Sequence, residues 1–140
     1  RRRAGKPAGR PPCPGGRMDE GDADVIAAAI REAHEEIALD PNMVDIIGTT
    51  DPYLTITGFR VTPVIAVIPP DLPLHPNEGE VAAIFETPLS FLLDPANHLT
   101  NSYDWQGGKR TYHEMFWNDR RIWGATAAMI VNLSQRLAWT

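Results

Sequence analysis

The sequence predicts a mixed α/β (α+β) domain in which a β-sheet packs between helices. Three observations carry this expectation. Residues 24–39 have helical periodicity, residues 123–137 form a second long helical stretch, and between them lie β-branched runs broken by Gly and Pro. The chain has 140 residues, 43% of them hydrophobic and 22% charged, enough for one domain with a real core. No run of 18 apolar residues occurs, so no membrane-spanning helix and no membrane partner are expected. Cys13 is the one cysteine, which excludes an internal disulfide and any Cys-rich zinc site and fits a reducing compartment.

Residues 1–17 hold Pro7, Pro11, Pro12 and Pro14 with four glycines, and repeated proline removes backbone donors, so this stretch reads as loop. The helix at 24–39 follows. Asp22 or Asp24 can cap its start, and Asp40-Pro41 stops it, because a residue before proline avoids the helical region. Ile26, Ala29, Ile30, Ala33 and Ile37 fall within a stripe about 100° wide that must face a core. Residues 44–47 read as a strand ending at Gly48, and 53–57 as one ending at Gly58. A long β-branched run, 59–68, is interrupted by Pro63 and ended by Pro69-Pro70. After a Pro-rich loop at 71–79, residues 80–85 read as a strand and 88–93 as a short helix. Residues 94–109 read as polar loop with a turn at Gly107-Gly108, 110–117 as a strand, and 123–137 as the second long helix. No internal repeat and no domain boundary is visible.

The net charge of −5 hides a split. All six charges within residues 1–17 are basic, whereas residues 18–140 hold the other seven basic residues and all 18 acids, a net of −11. So acidic a body is a poor generic binder of nucleic acid, and no nucleic-acid partner is expected.

The candidate chemistry sits on the first helix. With Glu32 at zero, Glu35 lies at about −60° and Glu36 at about +40°, so three carboxylates share an arc of about 100° away from the apolar stripe. On an isolated helix such a trio is simply a solvated acidic face. The preceding loop, PGGRMDEGD at 14–22, changes that reading. Two glycines allow close backbone approach, and Asp22 adds a carboxylate at the helix start. A loop able to cradle phosphate beside a carboxylate cluster suits metal-assisted diphosphate chemistry, with Mg²⁺ or Mn²⁺ as the hard cation.

Residues 16–39, GRMDEGDADVIAAAIREAHEEIAL, resemble the Nudix box of diphosphate hydrolases, and Arg31-Glu32-Ala33-His34-Glu35-Glu36 matches its R-E-U-x-E-E element. Two departures occur. Asp22 stands for the usual glutamate, and eight residues rather than seven separate it from Arg31. Both are similar to the coenzyme A diphosphatase branch, whose PGG-x-x-D-x-x-D matches residues 14–22. GFRVTPV at 58–64, EVAAIFETPLSFLL at 80–93 and IWGATA at 122–127 resemble further elements of that branch.

The resemblance implies a Nudix-type mixed sheet sandwiched between helices, and hydrolysis of the diphosphate of CoA or its thioesters to 4′-phosphopantetheine (or its acyl form) and adenosine 3′,5′-bisphosphate. It implies Glu32 and Glu36 as metal ligands with Glu35 beside them, and Arg31 orienting the cluster through a salt bridge to Glu35. Gly15, Gly16 and Arg17 would meet the substrate diphosphate. A carboxylate would accept the proton of the attacking water, with Glu32, Glu35, Glu78 and Glu80 all candidates. Ala38 replaces the family's glycine after E-E-x; if the site needs a left-handed turn, alanine costs on the order of 1 kcal/mol. His34 reads as a surface residue, His75, His98 and His113 as structural, Trp105, Trp117, Trp123 and Trp139 as packing, and Lys109 and Arg110 as a hairpin tip.

Before Pro14 the likeness stops. AGRPPC at 8–13 stands where the family has an arginine-bearing segment and an apolar strand, and its prolines cannot complete a central ladder. The expectation is therefore a truncated or altered N-terminus with the first strand missing. Residues 1–13 would form an irregular basic arm, and 14–140 the Nudix domain. By analogy with the family a homodimer is also expected, and the Ala-, Arg- and Pro-rich composition fits a cytoplasmic location. Two rival expectations remain: a diphosphatase acting on another nucleoside diphosphate derivative, and a non-catalytic Nudix-fold module or fragment. The retained carboxylates argue against the second.

Overall fold

Helix α1 (Val25–Ile37) begins where Asp24, in extended conformation at φ −160°, turns its carboxylate back to accept from the Ala27 amide at 2.8 Å. The structure, a computed structural model, describes residues 21, 23–79, 81 and 83–138. Its class is the expected α+β, with helices and antiparallel sheets. The chain divides into two compact units built from interleaved segments. No helix among the described residues is long and apolar enough to cross a membrane.

One unit comprises the described residues up to Pro52 together with Arg60–Phe85. Here α1 packs against strand β4 (Val64–Val67), which pairs antiparallel with β1 (Asp45–Thr49). The register runs from Asp45 opposite Val67 to Thr49 opposite Val64, with a bulge between Ile46 and Gly48. The bulge leaves Ile47 outside the ladder and 67% exposed. Pro63 cannot donate, but its carbonyl accepts from the Thr50 amide at 3.0 Å and extends the pairing by one bond.

The expected strand at 53–57 is shorter: β2 covers only Tyr53–Leu54. Beyond it Thr55 folds the chain back. Its Oγ1 accepts from the Phe59 amide at 3.0 Å, its carbonyl accepts from Gly58, and Gly58 adopts φ +89°. A hydroxyl that bonds its own backbone competes with a ladder and wins here. The expected 59–68 run likewise resolves into β3 (Arg60–Val61) and β4, split at Pro63.

The other unit comprises Tyr53–Phe59 and the described residues from Glu86 onward. Strands β5 (Leu99–Trp105), β6 (Gly108–Trp117) and β7 (Arg120–Trp123) form an antiparallel sheet in that order. Two expectations fail on the sequence before β7. The stretch 94–109 is not all loop, because β5 pairs with β6 along its whole length, from Leu99 opposite Glu114 to Trp105 opposite Gly108. All seven β5 residues are exposed, so no hydrophobic alternation marks the strand. It is held instead by cross-strand pairs: Tyr103 lies 5.8 Å from Tyr112, and Thr100 bonds His113 at 3.2 Å. Gln106 and Gly107, at φ 47° and 78°, make the two-residue turn that such a hairpin demands. Conversely, the strand expected at 80–85 is absent from its described residues, 81 and 83–85. That apolar run has no partner ladder among the described residues.

Helix α3 (Gly124–Leu137) buries Ala127, Val131 and Ser134, a row spaced for one helical face, against β6 and β7, where Met115 is fully buried and Ile122 nearly so. Ser134 also donates to the Leu93 carbonyl at 2.7 Å, closing the end of α2 (Leu89–Leu93). Phe91 of α2 stacks obliquely on Trp117 at 5.0 Å. His98 bonds the Leu92 carbonyl at 2.7 Å, and Asn97 donates to that of Phe91. Glu114 ties all three strands together, accepting from Asn101 of β5 and from Arg121 of β7, each at 2.7 Å. Arg121 also lies 5.1 Å over the Trp123 ring.

Candidate functional site

Of the residues singled out on α1, the structure places four within its last two turns. Arg31 Nη1 lies 3.1 Å from Glu35 Oε1 and 3.4 Å from Glu32 Oε1, so one guanidinium bridges two carboxylates. The i,i+4 pair with Glu35 has the expected geometry. Glu35 itself is well exposed.

Contrary to the expectation that all three carboxylates lie away from the apolar stripe, Glu32 and Glu36 are 1% and 2% exposed, among the most deeply buried side chains described. The helical wheel explains this. Ala28, Glu32 and Glu36 form an i,i+4 row, and on the wheel Glu36 lies only about 20° beyond Ala29, the edge of the apolar stripe. The packed surface of α1 thus extends past its apolar stripe and takes in this row. Two carboxylates withdrawn from water on successive turns carry a desolvation cost of several kcal/mol per ion, which only opposite charge and hydrogen bonds can offset.

Two carboxyl groups in a dry position form a hard-oxygen donor set of the kind that Mg²⁺ and Mn²⁺ select over softer metals. The donor chemistry fits such an ion. Among the described residues, however, no three His, Cys, Asp or Glu side chains converge in a metal-holding group. The expected trio is thus split: Glu32 and Glu36 turn inward and Glu35 outward to Arg31. Gly15, Gly16, Arg17, Asp22 and Glu80 lie outside the described residues.

The end of α1 is built with equal care. Ala38 sits in the left-handed region at φ 58°, ψ 32°, the conformation for which glycine is favoured. Its amide reaches the His34 carbonyl at 3.0 Å, and the Leu39 amide reaches that of Ala33 at 3.4 Å. Asn77, in the Pro-rich loop, donates its amide to the Glu36 carbonyl at 2.8 Å and its side chain to that of Glu35 at 3.3 Å. His75 donates its amide to the Ile37 carbonyl at 3.0 Å. Just beyond the helix, Ala38, Asp40, Met43 and residues 72–74 line a largely apolar hollow of about 160 Å³. Sequence reasoning passed over Asn77. The available signal was an asparagine, a frequent turn former, directly before two candidate acids. Glu78, next in the chain, is exposed.

Comparison with known proteins gives the family. Residues 1–105 match the family described as the NUDIX domain. The chain is 42% identical over 132 residues to a Cronobacter sakazakii protein named uncharacterized Nudix hydrolase NudL, covering 94% of this chain and 69% of that protein. Proteins of the same name from Enterobacter sp. strain 638 and Shigella flexneri are 44% and 40% identical over 124 and 135 residues. These alignments cover 65% and 70% of the relatives' lengths, and 89% and 96% of this chain.

Proposed function

Given that this chain belongs to the Nudix hydrolase family, we propose that it hydrolyses the diphosphate bond of coenzyme A or its thioesters. The products are 4′-phosphopantetheine, or its acyl form, and adenosine 3′,5′-bisphosphate. The observation that carries the diphosphatase reading is the buried pair Glu32 and Glu36, with Arg31 bridging Glu32 to Glu35. The CoA reading rests on the residues that resemble that branch: PGGRMDEGD at 14–22, GFRVTPV at 58–64 and EVAAIFETPLSFLL at 80–93.

Nudix hydrolases generally use divalent metal ions such as Mg²⁺ or Mn²⁺. In this chain Glu32 and Glu36 would hold the ion, with Glu35 tied to Arg31 beside them, and the ion when bound would polarise the phosphoryl oxygens and lower the pKa of water. The protein's own residues supply the rest. Gly15, Gly16 and Arg17 bind the diphosphate, the glycines by close backbone approach and the arginine by charge. Arg31 fixes the Glu32 and Glu35 carboxylates in one orientation. A carboxylate among Glu32, Glu35, Glu78 and Glu80 accepts the water proton as the water oxygen bonds to phosphorus. The bridging P–O bond breaks, and its electron pair leaves with the departing phosphate.

The test is incubation of the protein with CoA and Mg²⁺ or Mn²⁺, with chromatography of the products. Adenosine 3′,5′-bisphosphate should form, and Glu36→Gln and Glu35→Gln should each lower its rate by about a hundredfold or more, as loss of a group acting in the transition state does. Unchanged CoA alongside consumption of a nucleoside diphosphate sugar would move the substrate within the same reaction class. An active wild type with both variants undiminished would end the metal-carboxylate mechanism.

A further inference from the structure

An α-helix leaves its last four carbonyls without intrahelical partners. In α1 these belong to His34, Glu35, Glu36 and Ile37, and all four are satisfied. Ala38, at the cap, takes the first. The other three are taken by one distant loop: Asn77 Nδ2 at Glu35, Asn77 N at Glu36 and His75 N at Ile37. The loop is therefore registered on the last turn of α1, which carries Glu35 and Glu36, by two backbone amides and one side-chain amide.

Asn77 is the hub. It supplies two of the three bonds to the helix, one of them from the only side chain in the clip. It also organises the chain that follows, since its Oδ1 accepts from the Gly79 amide at 3.2 Å and its carbonyl from the Val81 amide at 2.7 Å. Glu78 thus lies between a residue clamped to α1 and a turn closed by that same residue. Its Cα is tied at about 3.8 Å from that of Asn77.

We infer that Asn77 is a positioning residue for the hydrolysis, holding the Glu78-bearing loop in fixed register with the Glu32 and Glu36 turns of α1. This inference rests on the diphosphatase reading and assigns the loop its place within it. The side chain must donate toward the helix and accept from Gly79 at once, which an asparagine amide does and a carboxylate does not.

Asn77→Asp keeps the acceptor and the size but sets a carboxylate oxygen against the Glu35 carbonyl. Asn77→Ala removes both bonds. Three readouts separate positioning from mere stability. Steady-state kinetics should show kcat lowered about tenfold or more in both variants with KM changed by less than about twofold, the pattern of a displaced reacting group. Mn²⁺ binding followed by electron paramagnetic resonance, and amide protection of Ala33 in α1, should stay at wild-type level. The His75 amide should exchange about tenfold faster or more once its neighbour's clamp is gone. With Glu78→Gln added, the loss should be less than the product of the single losses, because both changes act on one unit. An active wild type whose Asn77→Asp variant keeps its kcat, or unchanged exchange at His75, removes this inference alone. A wild type inactive on every diphosphate offered takes the diphosphatase reading down with it.

Discussion

Replacing Ala38 by glycine should stabilise the protein, and the structure sets the size of the gain. Ala38 ends α1 at φ 58°, ψ 32°, where an L-residue's Cβ crowds the following carbonyl at a cost of roughly 1–2 kcal/mol. Glycine escapes that cost but loses more backbone freedom on folding, worth about 0.4–1 kcal/mol. Ala38 is exposed, so its methyl contributes little burial. The net expectation is a gain of about 0.5–1 kcal/mol, or a rise in Tm of roughly 2–4 °C for a chain of this length. Urea unfolding followed by circular dichroism should show a higher midpoint with an unchanged m-value. Ala38→Val is the opposing control: a β-branched residue is worse in this region, and the midpoint should fall. A glycine variant at or below the wild-type midpoint, with m unchanged, would refute the reasoning, because it would mean that the left-handed cap carries no strain to relieve.

Glu114→Ala strips the carboxylate that joins β5, β6 and β7 and leaves Asn101 and Arg121 without their 2.7 Å partner. With Arg121 partly in water, the expected loss is about 2 kcal/mol, read as a lower urea midpoint. Thr126→Val should raise stability by about 1 kcal/mol, since Thr126 Oγ1 is buried with no hydrogen-bond partner among the described residues; a fall in the thermal midpoint would refute it. Glu36→Gln should abolish stabilisation by Mg²⁺: a bound ion at a hundred times its Kd adds about 2.7 kcal/mol to the wild type. The readout is the difference in Tm with and without the ion, which should be positive in the wild type and near zero in the variant.

The sequence disclosed those features that have a period or a punctuation mark. Both long helices were legible, because Ile26, Ala29, Ile30, Ala33 and Ile37 repeat at helical spacing and Asp40-Pro41 marks a stop. The β6 strand and the turn near Gly107 were legible for similar reasons. Strand β5 was not, since a hairpin exposed along its whole length alternates nothing. The partition of the glutamates was hidden for a different reason. An acidic side chain is ordinarily a good marker of water contact, and Glu32 and Glu36 are acidic residues yet dry. Sequence spacing puts Glu36 within about 20° of the apolar stripe, but only packing decides how far past the stripe the covered surface runs. The Asn77 clip joins residues 42 positions apart, beyond the reach of any local pattern.

The position of the acids along α1 adds an argument of its own. The C-terminal end of a helix carries partial negative charge, and acidic side chains there are disfavoured by about 0.3–1 kcal/mol each. Glu35 and Glu36 occupy that last turn, and Glu32 stands one turn earlier. The helix therefore holds its carboxylates where its own dipole opposes them, and two of them where water cannot screen them. Arg31 relieves part of this by bridging Glu32 and Glu35. A divalent cation at Glu32 and Glu36 would gain from the carboxylates and from the dipole together. Its effect must then exceed simple screening, so MgCl₂ should raise the Tm clearly more than NaCl at matched ionic strength. Equal effects of the two salts would mean that these carboxylates feel only bulk electrolyte, and the proposed metal-binding role would fail.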